Sequence, residues 1–100
     1  MSDLWELRVW LLLSIQRALL GEITPSIRAV TAGIDERTIT LRWIIDGEIT
    51  DELEDDLSAA GAEVIADFET HQIAEEFIRS DAPRPLDELY LDHIAYVRKE

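Results

Sequence analysis

Cysteine is absent from this 100-residue chain, which removes disulfide frameworks, thiolate nucleophiles and cysteine zinc sites at once. Lysine is nearly absent: Lys99 is the only one, and nine basic residues face 22 Asp and Glu. A formal net charge of −13 argues against nucleic acid or an anionic membrane as partner, because both would repel the chain at long range. The four glycines are scattered singly and build no phosphate-cradling loop. Long apolar runs are missing too. The strongest, Val9 to Ile15, falls far below the roughly 20 residues that span a bilayer, and the acidic opening lacks the marks of a signal peptide. A cytoplasmic protein is therefore expected.

An apolar fraction of 47% is too high for a disordered chain, and 100 residues suffice for one core. The expectation is a single α+β domain over residues 1–100. Asp3 can cap a first helix over about Leu4 to Leu20, stopped by Gly21. This helix is apolar on more than one face, a pattern that demands deep burial or a partner. Ser26 to Ala32 reads as a strand, Gly33 to Arg37 as a hairpin loop and Thr38 to Ile45 as a second strand. In the latter, Ile39, Leu41, Trp43 and Ile45 share one face. Thr50 is a good N-cap for a helix running to about Phe68, with Leu53, Leu57, Ala60, Val64 and Phe68 as its apolar stripe. Gly61, on or beside that stripe, would allow close packing on the sheet.

Thr70 to Ser80 resembles a third strand whose alternation Glu75 interrupts. The tail fits a helix or a short strand; a turn near Leu86 to Tyr90 followed by a strand from His93 to Arg98 is preferred. The order is then α-β-β-α-β-β: two helices on a four-stranded, largely antiparallel sheet made from two hairpins.

Catalytic patterns are not found. His71 and His93 form no metal-ligand spacing, and no serine stands in a nucleophile elbow. Asp46-Gly47 superficially matches half of a calcium loop, but the alignment puts Arg42, Ile44 and Leu53 where oxygen ligands belong. A small hydrolase using an acid and one histidine has no support in spacing. No catalytic residue, cofactor or metal is assigned.

The informative feature is charge distribution. From Asp46 through Glu76 lie twelve acidic residues and no Lys or Arg. On a helix starting near Thr50, Glu52, Asp55, Asp56, Glu63 and Asp67 fall off the apolar stripe and would form an acidic wall. With no local basic partner they repel one another, a strain that a basic partner protein would relieve. Asp51, Glu52, Asp55, Asp56 and Glu63 are the candidate partner-binding residues. Trp5 and Trp10 are candidate aromatic anchors, whereas Trp43 belongs to the core face of its strand.

The stretch Arg17 to Thr31 (RALLGEITPSIRAVT), the hairpin and acidic helix from Asp35 and the terminal Arg98-Lys99-Glu100 carry a family resemblance. Together they resemble the bacterial immunity proteins of contact-dependent growth inhibition and related polymorphic toxin systems. The resemblance implies a cytoplasmic, non-enzymatic inhibitor that binds the C-terminal domain of a cognate toxin, often a nuclease. It carries over no individual binding residue. The alternative reading is an acidic scaffold or regulatory protein that forms a homodimer through its first helix.

Overall fold

The alternation of Ile39, Leu41, Trp43 and Ile45 decides the layering, because it gives one strand a wholly apolar face that two helices must cover. The computed structural model describes residues 3–100; the side chains of Asp3 and Leu4, and with them the expected Asp3 cap, lie outside the described residues. The elements are α1 (Asp3–Ala18), β1 (Ile27–Ile34), β2 (Thr38–Ile45), α2 (Asp51–Ile65), β3 (Gln72–Arg79), the short 3-10 turn Asp87–Leu89 and β4 (His93–Val97). The element order and all four strands match the expectation from sequence.

Local chemistry sets the boundaries. Gly21 adopts φ +80°, a left-handed conformation that ends the turn after α1 at no side-chain cost. The Asp35 carboxylate accepts the backbone N–H groups of Arg37 and Thr38, each at 2.8 Å, and closes the β1–β2 hairpin. These bonds hold the Asp35 carboxyl below the usual carboxylate range. The Thr50 hydroxyl accepts from Leu53 N–H at 3.1 Å, the capping expected from sequence.

The sheet order is β3-β2-β1-β4. β1 pairs antiparallel with β2 and β4, whereas β2 pairs in parallel with β3. This corrects the expectation of a largely antiparallel sheet built from two hairpins. The reason is α2: a helix inserted after β2 carries the chain back along the sheet, so the next strand starts from the same end and runs in the same direction. β3 and β4 consequently occupy opposite edges, and the segment between them crosses the reverse face of the sheet. There Leu86 seals a small second cluster with Ala29 and Ile44, and Leu89 and Tyr90 pack against it.

The main core lies between the sheet and both helices. Leu11, Ile15 and Ala18 of α1 and Leu57, Ala60 and Val64 of α2 meet Val30, Ile39, Leu41, Trp43 and Ile45. A register shift between Ile27 and Ala29 inserts Arg28 as a bulge, so Ile27 and Val30 both join the helix side. Arg28 is itself 2% exposed. Its guanidinium forks onto Glu100 through two bonds of 2.7 Å and donates to the Ser80 carbonyl at 2.9 Å.

Candidate functional site

α2 owes its orientation to Leu57, Ala60, Gly61 and Val64, which are buried on the sheet and turn the opposite side outward. At about 100° per residue, Asp51, Asp55, Glu52, Glu63 and Asp56 fall within one arc of roughly 140° on that outer side. All five are exposed. Charge concentrates at the start of the helix. Asp51, Glu52 and Glu54 occupy the first turn, Asp55 and Asp56 follow, and only Glu63 stands further along. The positive end of the helix dipole partly offsets their mutual repulsion, which makes this the position where α2 best tolerates them. Small exposed residues, Ala59, Ala62 and Ala66, occupy the rest of the outer side. The face is therefore densely acidic at one end and, apart from Glu63, smooth at the other.

Other acids of the 46–76 stretch are used within the fold. Asp46 pairs with Arg98 at 3.1 Å and Glu76 with Arg42 at 2.7 Å. Glu75 accepts from the Trp43 indole at 3.3 Å. Asp67, expected to extend the acidic wall, instead accepts from the Ser14 hydroxyl at 2.6 Å and pairs with Arg17. These partners hold its carboxyl below the ordinary range, Ser14 most of all. Asp67 lies beyond the last helical turn and serves as the polar link between α1 and α2. The sequence leaves this unseen because Arg17 is 50 positions away. Among the described residues, Asp51, Glu52, Asp55, Asp56 and Glu63 make no ion pair.

The histidines have structural surroundings. His71 Nε2 lies 3.0 Å from the Asp35 carbonyl and its ring meets Phe68 edge-on, at 5.8 Å between centroids. His93 is half-buried on β4 opposite Ala32, so two strands separate it from the β3 edge near His71. Among the described residues, no group of three or more His, Asp or Glu side chains could hold a metal ion. No helix among them is long and apolar enough to cross a membrane.

Trp43 is 1% exposed and sits in the core as expected, whereas Trp5 and Trp10 are 64% and 62% exposed. Leu13, at 65%, extends the same exposed side of α1. The excess of apolar residues around the first helix is the signal for this surface, although periodicity alone does not rank its members.

Comparison with curated proteins finds no match. A family model, described as MafI2 immunity protein, matches residues 8–100, a span that includes the hairpin, the acidic helix and both edge strands. The chain belongs to the MafI2 immunity protein family.

Proposed function

We propose that this immunity protein neutralises its cognate toxin by laying the acidic face of α2 against a basic surface of the toxin's C-terminal domain. One observation carries the reading: Asp51, Glu52, Asp55, Asp56 and Glu63 are exposed on one side of one helix, with no cationic partner among the described residues. Carboxylates offer Arg and Lys the same negative oxygen acceptors that phosphates do. A nuclease whose substrate site is basic is thus the toxin class best matched. Long-range attraction accelerates encounter, and desolvated carboxylates then fix the register. The protein acts stoichiometrically, without turnover or cofactor, in the cytoplasm of the bacterium that makes the toxin. It belongs with systems of contact-dependent growth inhibition or their polymorphic-toxin relatives.

The test is expression of the C-terminal toxin domain from the neighbouring upstream reading frame, with and without this chain, read as bacterial growth. Rescue is expected, through a complex whose association slows as salt shortens the Debye length to about 8 Å and below. Replacing Asp55 and Asp56 by Asn should lower affinity about tenfold, or about 1.4 kcal/mol, and flatten the salt dependence. Rescue with unchanged affinity and salt response in that variant would retain the immunity role and refute the acidic face as its means.

A further inference from the structure

α1 presents a second surface, chemically unlike the acidic face. Glu6, Trp10, Leu13 and Arg17 follow one another at spacings of four, three and four, which aligns them on one stripe of the helix. All four are exposed. The stripe lines two neighbouring depressions that share Trp10 and Asp67, one with Leu7 and Phe68 and the other with Ser14. A tryptophan and a leucine both more than three-fifths exposed, side by side, leave apolar area in water that a monomer gains nothing by exposing.

We propose that this stripe is the contact of an antiparallel homodimer, in which the α1 helices of two copies cross about a two-fold axis between Leu11 and Leu12. The order of residue types along the stripe carries the assignment. Reversing the helix about that point brings Glu6 opposite Arg17 of the second copy and Trp10 opposite Leu13 of the second copy. The same two contacts recur by symmetry, the self-complementarity that an isologous interface requires. A toxin surface would impose no such palindrome. Among the described residues Glu6 has no ion-pair partner, and Arg17, already paired with Asp67, keeps free guanidinium N–H groups on a side chain 66% exposed. Each Leu13 packs against the other copy's Trp10. The acidic start of α2 takes no part in these contacts.

The pairing makes a prediction that a merely sticky patch does not. Sedimentation equilibrium of the pure protein at about 0.15 M salt, where net charge is screened beyond about 8 Å, should show a reversible dimer. Glu6→Arg and Arg17→Glu should each sediment as a monomer, since each homodimer would hold two like-charge contacts. An equal mixture of the two variants should restore the dimer, because both contacts then join one arginine to one glutamate. Far-UV circular dichroism confirms that each variant is folded. Leu13→Asp, which disturbs no ion pair, provides an independent monomeric control. A wild-type chain that stays monomeric up to about 1 mM overturns the proposal. So does a mixture that remains monomeric, or a monomeric wild type whose Leu13→Asp variant loses toxin affinity, which would give the stripe to the toxin. These readouts need no toxin to establish the dimer, so failure here and failure of the growth rescue are separable.

Discussion

A Cβ placed on Gly61 would stand 2.7 Å from Oε2 of Glu75, so the carboxylate of the third strand occupies the space that the missing side chain of α2 leaves. The indole N–H of Trp43 reaches the same oxygen. Gly61 costs α2 about 1 kcal/mol of helix propensity relative to alanine. Gly61→Ala should recover only part of that propensity, because the Glu75 carboxylate, the flexible end of its side chain, must swing aside and surrender the Trp43 bond. In a Glu75→Ala background the obstruction is gone, and the same substitution should stabilise by about 0.5–1 kcal/mol. Chemical denaturation of the four proteins measures the coupling, expected at roughly 0.5 kcal/mol. Additive effects would mean that the carboxylate moves aside freely.

Glu75 and Glu100 should tilt stability against pH in opposite directions. Burial raises the Glu75 carboxyl above its usual range, against hydrogen bonds from Trp43 and Ser58 that lower it. The fold favours the protonated form, so its contribution is full at low pH and lost as pH rises through the folded pKa. Glu75→Gln should therefore raise the thermal midpoint at pH 7, with the gain vanishing below about pH 4. Thermal unfolding across pH would show it; a gain independent of pH would point to another cause.

Glu100 behaves conversely. Its carboxyl is lowered from 4.5 to about 2, chiefly by the hydrogen bonds from Arg28. Its stabilisation is complete above the ordinary glutamate value and drains away as pH falls from 4.5 toward about 2. Glu100→Gln should lose stability at pH 7 and flatten the acid limb of the profile. Glu100→Ala should cost more than Arg28→Met, since the first strands a buried guanidinium and the second removes the charge altogether.

Thr50→Ala should cost about 1 kcal/mol, the usual worth of an N-cap hydroxyl. The first turn of α2 would fray with it, loosening Asp51 and Glu52. Hydrogen exchange should rise at the amide of Leu53 while the β1–β2 hairpin stays protected. Unchanged exchange at Leu53 would show that the dipole and packing alone hold the turn.

Much of this architecture was legible because short-range signals mark it. Thr50, the alternation through Ile45 and the prolines at positions 83 and 85 each act within a few residues. What the sequence hid was long-range. The destination of β3 depends on which edge of β2 is available after a helical crossover, and no local pattern records that. In sequence Glu75 looks like an interruption of its strand, and Gly61 like a weakness of its helix; each is explained by the other. The outward direction of the candidate carboxylates was readable from helical period alone. The withdrawal of Asp67 from the acidic face was not, since it depends on Ser14 and Arg17 being folded alongside.

Among the described residues, none of the five outward carboxylates of α2 belongs to the ion pairs that hold the fold together. Substitutions at Asp55, Asp56 and Glu63, exposed and away from the cap residue, should change stability by no more than about 0.5 kcal/mol. Those at Asp51 and Glu52 should change it by little more than their share of the helix dipole. On the proposed reading of the acidic face, recognition and architecture are written in separate sets of positions. A lineage could then respell the face of α2 to follow a changing adversary, one residue at a time, while the scaffold beneath kept its grammar.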